Sequence, residues 1–302
     1  MQTTVWYEKY KPQKIDDVVL PEALKSQLQQ AIARGELPNL GFWSSEPGLG
    51  KSSTANAIVR EMQKLGHEAM WINASLEKGI DTLRGKIQGF ATSASVDGLY
   101  KVVVLDECDH LSPDFQAAFR GFIDDYSANC RFIFTGNFKN KIIEPLLDRL
   151  MNIDFAAFDR KDIARPMAER LMMVLDNEGV EYDKQDLIKI IYTYYPRMRS
   201  MIAYLQKSSA TGKLEIGESL DNADVFDDIL SSLKGDYHEL IGKVNALTSP
   251  DNMYSFIYHH AEKYFGVNAP KAIIIAAKYQ HMAAIVRDKH LNLIACLTEL
   301  NS

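Results

Sequence analysis

Four short apolar runs in the first half of the chain alternate with segments of helical periodicity. The runs occupy residues 37–44, 68–75, 101–107 and 131–137, and their apolar residues follow one another without regular polar alternation. Strands with this pattern are buried on both faces, as in a parallel sheet covered by helices on each side. Helices are predicted from residue 51 to about 66, over 82–94 and over 112–127. The pattern therefore predicts an α/β domain over residues 1–157.

Strand signals end near residue 158, and the remaining periodicity is helical. It covers residues 162–179, 184–195 and 196–209, and the last of these begins with Pro196, a residue suited to a first helical turn. Residues 208–224 are small and polar and predict a connector. Helical segments follow over 225–235, 236–247 and 249–266, and a long apolar helical region extends to residue 300. We therefore expect a small helical domain over 158–211 and a second one over 224–302.

Composition limits the classes of protein and partner. The 302 residues are 46% hydrophobic, which is enough for several cores, and 34 basic against 40 acidic residues give a net charge of −6. A chain of this charge has no global attraction for nucleic acid, so any DNA contact is local. The three cysteines form no CxxC pair, which favours a reducing cytoplasm. The longest apolar run, residues 272–277, is too short to span a membrane, so we expect a protein without a membrane partner.

A glycine-rich loop follows the first apolar run. Residues 45–52, SEPGLGKS, match the phosphate-binding pattern G-x-x-x-x-G-K-[ST] except that Ser45 replaces the first glycine. Gly48 and Gly50 leave the backbone free to wrap a polyphosphate at the start of a helix. Lys51 is expected to be a mobile charge for the outer phosphates, and Ser52 a hydroxyl ligand for Mg²⁺. The alternative is a glycine-rich loop with a solvated lysine.

Polar side chains end two of the other predicted strands. Asp106 and Glu107 end the third apolar run, and Asn137 ends the fourth. Functional groups of open parallel sheets gather at the carboxyl ends of the strands. Asp106 would hold the Mg²⁺ shell, Glu107 would orient or deprotonate an attacking water, and Asn137 could fix that water. Taken alone, the acids could be a solvated strand end and Asn137 a turn former.

Several segments together resemble AAA+ ATPases, specifically the sliding-clamp loader family. Residues 6–19, WYEKYKPQKIDDVV, resemble the N-terminal segment that packs on adenine, and residues 79–91, GIDTLRGKIQGFA, resemble the DNA-facing segment. Residues 116–137, QAAFRGFIDDYSANCRFIFTGN, resemble the helix and sensor strand, and residues 93–107 are most similar to the ATPase subunit of T-even bacteriophage clamp loaders. The resemblance implies an AAA+ P-loop parallel-sheet domain, a helical lid and a helical collar.

The resemblance also implies roles for single residues. The implied catalytic residues are Glu107, Asn137, Arg149 and Arg199. The residues implied in ATP binding are Tyr10, Pro12, Val18, Pro47, Gly48, Leu49, Gly50, Lys51, Ser52, Ser53 and Arg199. Mg²⁺ is assigned to Ser52 and Asp106. Arg197 competes with Arg199 for the sensor role of the lid. Arg149 matches the arginine of an SRC motif, the finger offered to a neighbouring subunit, but Asp148 and Leu150 depart from that motif.

DNA contact is assigned to Ile80, Arg84 and Lys86. Basic residues on such a segment position a phosphate backbone without reading its sequence, and repetition around a ring would add their effects. The alternative is an exposed amphipathic helix whose basic side chains are solvated.

The resemblance implies a DNA-dependent ATP hydrolase that uses ATP and Mg²⁺ to open a ring clamp and place it on primer-template DNA. Its implied partners are the sliding clamp, the DNA, a second type of clamp-loader subunit and further copies of itself in a pentameric ring. The implied location is the cytoplasm of a phage-infected bacterial cell. The alternatives are another AAA+ DNA-processing ATPase, of branch-migration or initiator type, and a scaffold subunit that binds nucleotide without hydrolysing it.

Overall fold

The computed structural model describes residues 4–76, 80–93, 98–216, 223–233 and 235–301. Contacts divide the chain into two compact units. One unit contains the residues up to Gly179 together with Pro196–Lys207, and the other contains Val180–Tyr195 together with the residues from Ser208 onward. This division cuts the chain at positions other than 157, 211 and 224, so the three predicted domains stay a prediction.

Within the described residues, one parallel sheet forms the centre of the first unit. Its strands are β1 (Leu40–Trp43), β2 (Ala69–Asn73), β3 (Lys101–Asp106), β4 (Cys130–Gly136) and β5 (Met151–Asp154), in the order β2-β3-β4-β1-β5. All four pairings are parallel. The strand order places the carboxyl ends of β3, β4 and β1 next to one another, so the segments that follow them meet at one edge of the sheet.

Nine helices of the described residues lie before, between or after these strands, up to residue 208. They are α1 (Trp6–Lys9), α2 (Glu22–Ala33), α3 (Lys51–Lys64), α4 (Ile80–Thr92), α5 (Pro113–Asp125), α6 (Glu144–Leu147), α7 (Arg160–Glu178), α8 (Lys184–Tyr194) and α9 (Met198–Ser208). Local chemistry sets several of their ends. The Ser112 hydroxyl accepts the backbone N–H of Phe115 and caps α5, whose first residue is Pro113. Gly179 ends α7 with a φ of 67°.

Consecutive residues of the central strands enter two hydrophobic cores. Val103 and Leu105 of β3 pack in one core with residues of α4 and α5, whereas Val102 and Val104 pack in the other with residues of α2 and α3. Because a strand alternates its side chains between two faces, a strand covered on both faces must be apolar at every position. This is why the continuous apolar runs predicted the sheet correctly.

The C-terminal helices of the second unit form a core of their own. They are α10 (Ala223–Ser231), α11 (Tyr237–Asn245), α12 (Asn252–Phe265), α13 (Ala269–Ala283) and α14 (Lys289–Asn301). Their core includes Phe226, Tyr254 and Leu293, and the buried Asn292 donates to the Tyr254 hydroxyl at 2.7 Å. Among the described residues, none of the helices combines the length and apolar composition that crossing a bilayer requires.

The structure confirms the four predicted strands and corrects three details. The sequence pattern does not predict β5, because only Ile153 of this edge strand is buried. The long apolar region before residue 300 is two helices, α13 and α14. Pro196 does not lie in a first helical turn, because α9 begins two residues later at Met198.

The three cysteine thiols are expected to be unreactive in the folded chain. All three are buried, and burial raises the pKa of Cys130 to about 11, that of Cys296 to about 12 and that of Cys108 well above its usual value. At a pH well below its pKa a thiol is mostly protonated, and the thiolate is the form that reacts. Iodoacetamide at pH 8 should label these thiols only after denaturation, as read by intact mass. Fast labelling of the folded protein would contradict the buried placement.

Candidate active site

A cavity of about 220 Å³ lies in the first unit, at the edge of the sheet where β1, β3 and β4 end. It brings together residues of the N-terminal arm (residues 7–19), the glycine-rich loop, the strand ends and α9. The predicted nucleotide-site residues among its lining are Tyr10, Pro12, Val18, Pro47, Gly48, Leu49, Gly50, Lys51, Ser52, Ser53, Asp106, Glu107, Asn137 and Arg199. Segments far apart in sequence therefore meet at one place in the first unit.

The glycine-rich loop has the backbone shape that its sequence suggests. Gly48 has a φ of 84° and Gly50 a φ of 103°, a region that side chains disfavour. The chain passes directly from Gly50 into α3, which begins at Lys51. The loop therefore leads into a helix N-terminus, where unpaired backbone N–H groups and the helix dipole favour an anion.

Lys51 is held in place rather than mobile. Its side chain is buried, and its Nζ donates to the backbone oxygens of Ser44 and Glu46, each at 3.2 Å, and to Asn137 Oδ1 at 2.9 Å. Burial lowers the pKa of Lys51, and the charges of Asp109, Asp106 and Asp154 oppose that shift. A buried cation whose direct partners are neutral oxygens is well suited to an anionic ligand.

The acids at the end of β3, Asp106 and Glu107, form hydrogen bonds with residues of α3 and β4. Ser52 Oγ donates to Asp106 Oδ1 at 2.8 Å. The Thr135 hydroxyl also donates to Asp106 Oδ1, and the backbone N–H of Glu107 donates to Thr135 Oγ1 at 3.3 Å. A hydroxyl and a carboxylate at this separation are the hard oxygen ligands that suit Mg²⁺. The donor set therefore fits the ion that the sequence predicts here.

Glu107 has an unusual backbone. Among the described residues it is the one non-glycine residue with a positive φ, 56°. For a residue with a side chain this conformation costs about 1–2 kcal/mol, and such strain is typical of functional sites. The turn directs the chain away from β3 immediately after Asp106, and Glu107 lines the cavity.

Residues of the N-terminal arm also line the cavity. The Tyr10 hydroxyl donates to Glu178 Oε1 at 2.8 Å, and burial followed by this contact raises the pKa of Tyr10. Arg170 Nη2 donates to the backbone oxygen of Tyr10 at 2.8 Å, and burial lowers the pKa of Arg170. Sequence reasoning missed Arg170 because it lies within α7, far from any motif. Apolar side chains of Val18 and Ile202 complete a surface suited to a flat ring.

The two candidate sensor arginines have different surroundings. Arg199 lines the cavity, and its guanidinium carbon lies 5.9 Å from the centre of the Tyr7 ring. Arg197 is not among the described lining residues, and its Nε is buried without a hydrogen-bond partner in the described part of the chain. Of the two arginines, Arg199 is therefore the one that lines the cavity among the described residues.

Three further predicted site residues, Arg149, Arg84 and Lys86, are not among the described residues that line the cavity. Arg149 forms a two-point ion pair with Asp124, with Nε–Oδ1 at 2.8 Å and Nη2–Oδ2 at 2.7 Å, and its Nη1 donates to the Pro145 backbone oxygen. It lies between α6 and the edge strand β5. Arg84 and Lys86 are exposed on α4, whose first residue is Ile80. The side chain of Ile80 lies outside the described residues.

Comparisons with known proteins add family relationships. Residues 43–157 match the model of the ATPase family associated with various cellular activities (AAA). The replication factor C small subunit of Archaeoglobus fulgidus is 34% identical over 246 residues, which are 78% of this chain and 75% of that protein. The chain belongs to the replication factor C small subunit family. Because 246 residues align with that protein, the relationship extends beyond the segment 43–157 that the family model matches.

Other relatives show how far the similarity reaches. The replication factor C small subunit 1 of Pyrobaculum islandicum is 36% identical over 218 residues, which are 71% of this chain and 64% of that protein. The chain thus spans slightly less than two thirds of that relative. The RuvB Holliday junction branch migration motor of Thermotoga maritima aligns with a TM-score of 0.53 at 16% identity, covering 78% of this chain and 85% of that one. At that identity the likeness shows the fold alone.

Proposed function

We propose that this chain is the ATPase subunit of a sliding-clamp loader. The observation that carries the proposal is that Lys51, Ser52, Asp106, Glu107 and Asn137 all line one cavity. A phosphate loop alone is compatible with binding, whereas a strand-end acid pair and an amide beside it supply what hydrolysis needs. Membership of the replication factor C small subunit family supports replication as the setting.

ATP would lie with its base against Tyr10, Pro12 and Val18 and its phosphates on the glycine-rich loop. Lys51 neutralises the outer phosphates, and Ser52 with Asp106 would hold Mg²⁺, which supplies further charge neutralisation when bound. Glu107 orients or deprotonates the attacking water. Asn137 fixes that water, and Arg199 reaches the phosphates from α9. Hydrolysis of a phosphoanhydride depends mainly on such positioning and charge stabilisation.

The proposed partners are a ring clamp, primer-template DNA, a second subunit type and further copies of this chain in a pentameric ring. Residues 158–211 would form the lid and residues 224–302 the collar. The resemblance of residues 93–107 to T-even phage clamp loaders supports a location in a phage-infected bacterial cell. ATP binding would build the shape that grips clamp and DNA, and hydrolysis would release them.

Nucleotide binding through Lys51 is the first test. Lys51→Ala is expected to weaken ATP binding roughly 100-fold, because a charged hydrogen-bond donor to the phosphates is lost. Lys64→Ala, at the exposed end of the same helix α3, is the matched control and should bind ATP like the unmodified chain. Calorimetric titration with Mg²⁺-ATP measures both. Equal affinity of Lys51→Ala and the unmodified chain would overturn the nucleotide site.

Arg84→Ala is expected to weaken the stimulation of ATP turnover by primed DNA and to reduce its salt dependence. The basal turnover should change little, because Arg84 lies on α4 and not on the cavity wall. Arg165→Ala, which removes an equally charged side chain that is 87% exposed on α7, is the control. Titrations of DNA at several salt concentrations measure the effect. An unchanged response would remove Arg84 from the proposed DNA surface.

A further inference from the structure

Asp109 is a buried acid beside the candidate active site. It lies in the short 3-10 turn Cys108–His110 that follows Glu107, and only 5% of it is exposed. Its Oδ2 is buried and has no hydrogen-bond partner in the described part of the chain. Burying a carboxylate with one oxygen unpaired costs free energy, so such a group in a folded chain calls for an explanation.

The other oxygen of Asp109 holds the end of β4. Oδ1 accepts the backbone N–H of Asn137 at 3.2 Å. The strand ends at Gly136, so this N–H lies beyond the residues that β4 pairs with its neighbours. A Cβ added at Gly136 would lie 3.0 Å from Asp109 Oδ1 and 3.1 Å from the Trp43 ring. The carboxylate therefore packs directly against the backbone that precedes Asn137.

This contact is one link in a chain of polar contacts across the site. Asp109 lies in the turn that follows Glu107. Its carboxylate accepts the backbone N–H of Asn137, and the Asn137 side chain in turn accepts a hydrogen bond from Lys51 Nζ at 2.9 Å. A carboxylate acceptor makes a stronger hydrogen bond than a neutral one. It also places negative charge near Lys51, whose three hydrogen-bond acceptors are neutral.

We propose that Asp109 is a positioning residue for ATP hydrolysis that acts through Asn137. By fixing the Asn137 backbone at the end of β4, it sets where the Asn137 amide lies relative to Lys51 and the turn of Glu107. This inference rests on the proposed ATPase function. Because a displacement of about 1 Å at a reacting centre can cost up to 10²-fold in rate, a loose Asn137 slows hydrolysis without weakening ATP binding.

Four variants test the proposal by kinetics. Asp109→Ala is expected to lower kcat roughly 10- to 100-fold with KM for ATP within about threefold. Asp109→Asn keeps an acceptor for the Asn137 N–H and should restore kcat to within about threefold of the unmodified value. Asp109→Ala combined with Asn137→Ala should be no slower than Asn137→Ala alone, because both act through one group. Cys108→Ala, a buried neighbour that also packs near Gly136, is the control and should alter the Tm alone.

Additive losses in the double variant, or an Asp109→Asn variant as slow as Asp109→Ala, would overturn the proposal. Amide hydrogen exchange of the unmodified, ¹⁵N-labelled protein gives a readout that needs neither a variant nor turnover. The Asn137 amide should exchange at least about tenfold more slowly than the amides of the exposed residues 139 and 140. Equal exchange would refute the contact. If the Asn137 amide is protected but the unmodified protein shows no ATP turnover, that result would count against the proposed ATPase function alone.

Discussion

Arg149→Ala is expected to lower DNA-stimulated ATP turnover about 10³-fold or more, while ATP binding at the variant's own cavity is unchanged. Arg149 lies outside the cavity lining of its own chain, next to the edge strand β5. A guanidinium at that place would reach a nucleotide held by a neighbouring subunit and stabilise the charge that develops during phosphoryl transfer. Steady-state turnover with primed DNA, beside calorimetric ATP binding, measures the two quantities.

The ion pair of Arg149 with Asp124 supplies a control for structural loss. Asp124→Asn removes the same ion pair and keeps the guanidinium, and an ion pair between exposed side chains contributes little to stability. Its turnover should stay within a few-fold of the unmodified chain. If Asp124→Asn lost as much turnover as Arg149→Ala, the effect would come from the ion pair and not from a finger.

Mixing two inactive variants tests whether the finger acts between chains. Assemblies of Arg149→Ala with Lys51→Ala should recover part of the turnover, because some interfaces join an intact loop to an intact finger. Mass measurement must show that mixed assemblies have formed. No recovery in such assemblies would mean that Arg149 acts within its own chain or only stabilises the fold.

Glu107→Gln is expected to keep ATP binding and to slow hydrolysis by about 10²- to 10⁴-fold. Glutamine has the same size and can occupy the same turn, but it cannot accept a proton from water and carries no charge. The variant should therefore remain in the ATP-bound, clamp-bound state. Single-turnover hydrolysis beside ATP affinity separates the chemical step from binding.

A nearby acid provides the matched control for Glu107. Asp114→Asn removes one negative charge from the exposed first turn of α5, away from the cavity lining. It should hydrolyse ATP at close to the unmodified rate. Turnover of Glu107→Gln at the rate of the unmodified chain would show that the catalytic acid is wrongly assigned.

Much of the α/β fold and of the cavity could be read from the sequence, because their signals are local. Val102, Val103, Val104 and Leu105 are continuously apolar since β3 is covered on both faces. Gly48 and Gly50 stand where the backbone needs positive φ. Parallel strands bring their carboxyl ends to one edge, so a loop after β1 and polar residues after β3 and β4 had to meet there.

The rest depends on contacts between distant residues that no local pattern encodes. Arg149 and Asp124 are 25 positions apart, and the sequence around neither residue contains a pattern that predicts their ion pair. Arg170 reaches Tyr10 across 160 positions. Asp109 follows the acid pair closely in sequence, yet its link to Asn137 exists only because β3 and β4 are neighbours. The strand β5 escaped prediction because an edge strand needs only partial burial.

We propose that this chain is an ATPase whose turnover depends on primer-template DNA. The most direct test is steady-state ATP hydrolysis by the purified chain, measured with primed DNA, with blunt duplex of equal length and without DNA. Primed DNA should stimulate turnover well beyond the level reached with blunt duplex, and Lys51→Ala should abolish turnover. Tight ATP binding with no turnover under any of these conditions, even after the clamp and partner subunit are added, would contradict it.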